Sequence, residues 1–126
     1  MRQDVSRFTI ERTDTIRTAM EKITANRYRV VIVLDGAKVV GTVSDGDLRR
    51  AFLKEVLPIA PVEKIMNINC RTTTERDPHK LAELIRREQG TVLPVVNDAN
   101  ELVDVALAYE PFVQESGRRS TRPSRG

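Results

Sequence analysis

The stretch Ser44-Asp45-Gly46-Asp47-Leu48-Arg49-Arg50 gathers a hydroxyl, two carboxylates, a glycine and two guanidinium groups into seven consecutive residues. A run of apolar residues precedes it, and Leu48, Ala51 and Phe52 follow at helical spacing, so the string is expected to join a strand to a helix. At such a junction the first backbone N–H groups of the helix lack partners, and the helix dipole favours an anion. Ser44 adds a hydroxyl donor, Gly46 leaves room for close approach, and Arg49 or Arg50 reaches back with a planar fork. The chemistry that suits this set is the binding of a phosphate. Arg50 is preferred to Arg49, which is less constrained to the junction.

Each piece also has a simpler reading. Asp45 or Asp47 serves as a helix N-cap, worth about 1 kcal/mol, and Gly46 serves the turn. The string from Gly41 to Arg50 taken whole favours binding, because capping does not call for a preceding glycine, a serine and two following arginines together. Asp45-Gly46-Asp47 does not make a calcium loop, since the further oxygen ligands are absent at the required spacing, and no metal ligands are assigned.

Catalytic chemistry finds little to work with. Cys70 is the sole cysteine and His79 the sole histidine, which excludes an intrachain disulfide and a Cys/His zinc cluster. Cys70 reads as a small apolar residue of a short strand, Asp77 as an N-cap, and His79 as a solvated helix residue. With no nucleophile–base pair in view, no catalytic residue is assigned and no cofactor is required.

The elements that must position the string follow from periodicity. Ile16, Ala19, Met20 and Ile23 mark a one-faced helix with Thr13 or Asp14 as N-cap and Asn26 as a stop. Val30 to Leu34, the turn Asp35-Gly36 and Lys38 to Val43 read as a hairpin, and a second helix after Asp47 is closed by Pro58 and Pro61. The same order then returns. Asn69 to Thr73 reads as a short strand, Asp77-Pro78 opens a helix ended by Gly90, and Val92 to Val96 matches Val30 to Leu34 at an offset of 62 residues. Leu102 to Leu107 echoes Val39 to Val43 with one residue inserted. Two such units are expected to bury their apolar faces against each other about a pseudo-twofold axis.

Charge is localised. The net charge of +3 resides in the tail, where Arg118, Arg119, Arg122 and Arg125 stand without an acid. With those four set aside, 17 basic residues face 18 acidic ones, so a basic nucleic-acid-binding surface is not indicated. Apolar runs are too short for a membrane span and no secretory signal opens the sequence, which makes the cytoplasm the expected address.

From Thr15 through Arg50 the sequence resembles a repeat of the cystathionine-beta-synthase (CBS) domain family. The family signature is a glycine, an apolar residue, any residue, Ser or Thr, two residues, then Asp. Gly41, Thr42, Ser44 and Asp47 fill it, with Thr42 departing at the apolar position. The likeness implies an α/β fold of tandem CBS repeats with pseudo-twofold symmetry and small mixed sheets packed on helices, pairing as a homodimer. Residues 1–60 would form the first repeat, 61–112 the second, and 113–126 a disordered basic tail.

The likeness further implies a nucleoside phosphate ligand, such as AMP, ADP or ATP. Asp47 would accept hydrogen bonds from the two vicinal hydroxyls of a ribose, Ser44, Gly46, Arg49 and Arg50 would surround the phosphate, and Asp45 is a further ligand-binding candidate. Thr9 and Ile10 are candidates for the base from position alone. In the second repeat Asp104, Leu107 and Glu110 stand where Gly41, Ser44 and Asp47 stand in the first, so one well-formed site per pair is expected. The string Ser44 to Arg50 is similar to the repeats attached to sugar nucleotidyltransferases, which carry the pair at the N-terminus, and to those of arabinose-5-phosphate-type isomerases. What this implies is a non-catalytic module regulating an enzyme of that kind, attached or separate. The alternative is a structural dimerisation module with a vestigial ligand site.

Overall fold

The computed structural model describes residues 4–88 and 91–108. Two small sheets are packed on helices. The first is mixed, with strand β1 (Thr9–Glu11) parallel to β2 (Val30–Asp35), and β2 antiparallel to β3 (Lys38–Ser44). The second is the antiparallel pair β4 (Val92–Val96) and β5 (Leu102–Leu107). Helices α1 (Ile16–Asn26) and α2 (Asp45–Leu53) belong with the first sheet, and α3 (Pro78–Glu88) precedes the second.

The internal repeat extends to details of backbone geometry. Helices α1 and α3 each have 11 described residues and start 62 residues apart. Val30 pairs with Ser44 as Val92 pairs with Leu107, and Val33 with Gly41 as Val95 with Asp104. A register shift falls between Val33 and Leu34 in one hairpin and between Val95 and Val96 in the other. Ile10 beside Val33 has its counterpart in Thr73, which makes a single parallel bridge to Val95. The strand expected over residues 69–73 is reduced to that bridge, because a polar stretch has no second apolar face to keep it in a sheet.

Capping fixes α1. Thr15, rather than Thr13 or Asp14, is its N-cap, the hydroxyl accepting from the Thr18 N–H at 3.2 Å. Asp14 accepts instead from the Glu11 N–H at 2.9 Å and turns the chain out of β1. Asn26, buried at the helix end, donates to the carbonyls of Arg7 and Val30 and accepts from the Tyr28 N–H. Gly90, the expected stop of α3, lies outside the described residues, as do Glu110 and the basic tail.

The continuous apolar run of β2 is explained by burial on both sides. Val31 and Val33 face a core with Ile16, Ala19, Ile23, Val43 and Leu48, while Ile32 faces a second cluster. That second cluster joins the halves of the chain: Phe8, Tyr28, Ile32 and Val39 from one meet Val96 and Val105 from the other. Phe8 and Tyr28 pack edge to face with centroids 5.6 Å apart. Near the axis, a bridge pairs Lys38 with Glu101, the residue at its own position in the second unit. Alongside it the Val39 N–H donates to the Asn100 carbonyl at 3.1 Å, and the Asn100 amide donates back to the Val39 carbonyl at 2.8 Å.

Candidate functional site

A cleft of about 440 Å³ opens between the two halves, within the size range of small-molecule sites. Its first wall is the β3–α2 junction, with Thr42, Ser44, Asp45 and Gly46, together with Tyr28, Arg29 and Val30 at the entry to β2. Its second wall comes from Ile85 and Glu88 of α3 and from Thr91 to Pro94 at the start of β4. A polar floor of Asn67, Asn69, Cys70 and Arg71 belongs to the segment that leads from α2 toward α3.

That segment is held in place by the backbone. The Asn67 N–H donates to the Thr42 carbonyl at 2.8 Å and the Thr42 N–H to the Asn67 carbonyl at 3.1 Å, so the chain crosses directly over β3. Gly41 lies beneath the crossing. A Cβ there would stand 2.9 Å from the Asn67 carbonyl oxygen and 3.0 Å from the Met66 side chain, so glycine is required by packing.

Ser44 and Asp47 form a complete capping box. The Ser44 hydroxyl accepts from the Asp47 N–H at 3.3 Å, and the Asp47 carboxylate accepts from the Ser44 N–H at 2.9 Å and from its hydroxyl at 3.0 Å. The other carboxylate oxygen takes the Arg50 guanidinium at 2.7 Å. Arg50 in turn lies over Gly46, where a Cβ would meet it at 3.3 Å. Asp47 and Arg50 line a smaller recess of about 220 Å³ with Lys54 and Lys64.

The structure therefore brings Ser44, Asp45 and Gly46 to the cleft and sets Asp47 and Arg50 beside it. Arg49 is exposed on α2 and lines neither recess. Thr9 is half-buried and Ile10 is buried in the first core, and neither lines the cleft. Phe8, which leads into β1, packs against Val96 and Val105 of the second unit, so the opening segment of the chain serves that side. The corresponding place beside Ser44 is taken by Asn67 to Arg71.

Arg29 joins the site without having been singled out from sequence. Its backbone is left-handed, with φ of 68°, unusual for a residue with a side chain. Its carbonyl accepts from the Asp45 N–H at 3.2 Å, and its guanidinium stands 3.9 Å from the Asp45 carboxylate. Across the cleft Arg71 pairs with Glu88 at 3.2 Å. Half-burial of Cys70 pushes its thiol pKa up by desolvation.

Residues 1–54 match the model of the CBS domain. Among solved structures, the CBS domains of a transcriptional regulator from Streptococcus pneumoniae superpose with a TM-score of 0.68 at 19% identity, over 86% of this chain and 89% of that one. The chain folds as a CBS domain pair. A CBS domain protein from Pyrobaculum aerophilum, PAE2072, solved in complex with AMP, has the same fold (TM-score 0.64, 23% identity, 90% of this chain and 95% of that one). OpuCA of Staphylococcus aureus follows at a TM-score of 0.63 and 17% identity, over 79% and 84% of the two chains. No curated protein matches this chain. None of its described helices is long and apolar enough to cross a membrane.

Proposed function

We propose that this CBS pair is a non-catalytic regulatory module that binds an adenosine phosphate, AMP, ADP or ATP, or another nucleoside phosphate, in the cleft beside Ser44. The observation that carries this reading is the cleft itself. It places the start of α2 at Gly46 and the Arg29 guanidinium on one wall, beside a Ser44 hydroxyl held in the capping box, and apolar Ile85, Leu93 and Pro94 on the other. A phosphate suits the first wall and a flat base the second. The Asp47 carboxylate borders this arrangement, and a ribose diol would have to share it with Ser44 and Arg50. That the Pyrobaculum aerophilum protein of the same fold is complexed with AMP supports an adenine nucleotide first.

Binding between two halves gives a route to regulation, because a ligand touching both walls favours the arrangement in which they stand closest. The regulated enzyme is proposed to act in nucleotide-sugar or sugar-phosphate metabolism, from the similarity of the Ser44 to Arg50 string, and the chain itself to be cytoplasmic. Self-association is proposed to use the exposed Leu53, Leu57 and Ile59, which together put apolar surface in water at the end of α2 and the loop after it.

A second reading has its own observation. Gly41, Ser44 and Asp47 are each fully employed within the protein, by the crossing of residues 66–67 and by the capping box. A structural dimerisation module with a vestigial site would keep all three. A thermal-shift screen of adenine, guanine and cytosine nucleotides separates the readings. A ligand at about 100 times its Kd adds about 2.7 kcal/mol of stability, which moves the midpoint by several degrees. A shift for one nucleotide class supports the sensor, and no shift at millimolar concentration establishes the structural module.

A further inference from the structure

The charges lining the cleft cancel. Among its described residues Arg29 and Arg71 are the basic side chains and Asp45 and Glu88 the acidic ones, and each arginine faces one acid. The two pairs differ in strength. Arg29 and Asp45 stand 3.9 Å apart with both side chains largely in water, so a ligand displaces that contact with little loss. Arg71 and Glu88 meet at 3.2 Å, and the Glu88 side chain is only 33% exposed. Glu88 is also the last described residue of α3, in a turn where the helix dipole disfavours a carboxylate and Arg86 and Arg87 are the expected company. A carboxylate kept there, against the dipole and facing a site for anions, opposes ligand charge.

Resting on the nucleotide reading of the cleft, we infer that Glu88 sets its phosphate selectivity: by holding Arg71 it restricts the cleft to monophosphate ligands and excludes triphosphates. On the first wall a monophosphate meets the Gly46 backbone and Arg29, the Asp45 and Asp47 N–H groups being bonded to the Arg29 carbonyl and the Ser44 hydroxyl. Additional phosphates that extend from there across the cleft meet Glu88 and find Arg71 already engaged. Lys54 and Lys64 offer no relief inside the cleft, since they line the separate recess with Asp47 and Arg50.

The test is titration of AMP and ATP, without divalent cations, against the full chain and its Glu88→Gln and Glu88→Gln/Arg71→Ala variants. The wild type is expected to prefer AMP. Glu88→Gln should tighten ATP binding about tenfold while changing AMP by less than about threefold, and Arg71→Ala should cancel the gain. Tighter binding of ATP than AMP by the wild type, or an unchanged AMP to ATP ratio in Glu88→Gln, overturns the inference while leaving the nucleotide site standing. Absence of binding by either nucleotide to all three proteins overturns the site and the inference together.

Discussion

The Ser44 hydroxyl and the Asp47 carboxylate are bonded to each other and to each other's backbone N–H, with Asp47 also holding Arg50 at 2.7 Å. Both residues therefore start the helix, whatever else they touch. Asp47→Ala is expected to lower stability by about 1–2 kcal/mol through loss of the cap. Lost nucleotide binding in that variant alone would not mark a ligand contact. Asp47→Asn retains an oxygen to accept from the Ser44 N–H and should keep most of the midpoint temperature while losing the carboxylate charge. If binding of AMP falls in Asp47→Asn with the midpoint preserved, the carboxylate touches the ligand; if binding survives, Asp47 is a cap only.

Gly41 illustrates how a signature glycine arises from chain crossing. With 2.9 Å to the Asn67 carbonyl, the space for a methyl group does not exist, and the obstacle is backbone. Gly41→Ala should cost about 1–3 kcal/mol by overpacking, as measured by denaturant unfolding. Gly36 supplies the contrast, with φ of 66° and nothing within 4 Å of its would-be Cβ. Gly36→Ala should cost about 1 kcal/mol, from backbone conformation alone. A smaller loss at Gly41 than at Gly36 would show that residues 66–67 do not sit over β3 in solution.

The sequence patterns that proved legible are those in which local periodicity and packing agree. The offset of 62 residues between Val30 to Leu34 and Val92 to Val96 marks both hairpins, helices α1 and α3 and even the matched register shifts. Less legible were elements fixed by distant partners. Strand β1 has three residues and exists because β2 accepts it on one edge. The cleft floor at Asn67, Asn69 and Arg71 has no period, since its path is set by bonds to Thr42. One signal was available: in a pseudo-twofold pair, the segment leading into each unit lies against the other, which directs residues 67–71 to Ser44 and residues 5–8 to the second half. The roles given to Thr9 and Ile10 rested on position alone.

Two arginines close together hold left-handed backbone, Arg27 with φ of 66° and Arg29 with φ of 68°. Arg27 is the C-cap of α1, donating its N–H to the Ile23 carbonyl at 3.1 Å, a position that glycine fills without strain. Arg27→Gly should leave stability unchanged or raise it by up to about 1 kcal/mol, with nucleotide affinity intact. Arg29→Gly should behave alike in stability but weaken AMP binding about tenfold, because its side chain lines the cleft. Equal affinities for both variants would remove Arg29 from the site.

Cys70 offers a probe that leaves the cleft unmutated. Its thiol is half-buried on the cleft floor, and desolvation raises its pKa above that of a free thiol. The thiolate is the reactive form, so alkylation at neutral pH should be slower than for a free cysteine and should accelerate only at higher pH than an exposed thiol requires. The same shift ties stability to pH: the folded state holds the thiol proton more tightly, so this contribution is present below the unfolded thiol's pKa and is lost as pH rises through the folded one. On the proposed seating between Ser44 and Leu93, a nucleotide covers Cys70. Saturating AMP should therefore slow the alkylation further, measured as the pseudo-first-order rate with a small maleimide. An AMP-induced thermal shift with no change in that rate would place the ligand outside this cleft.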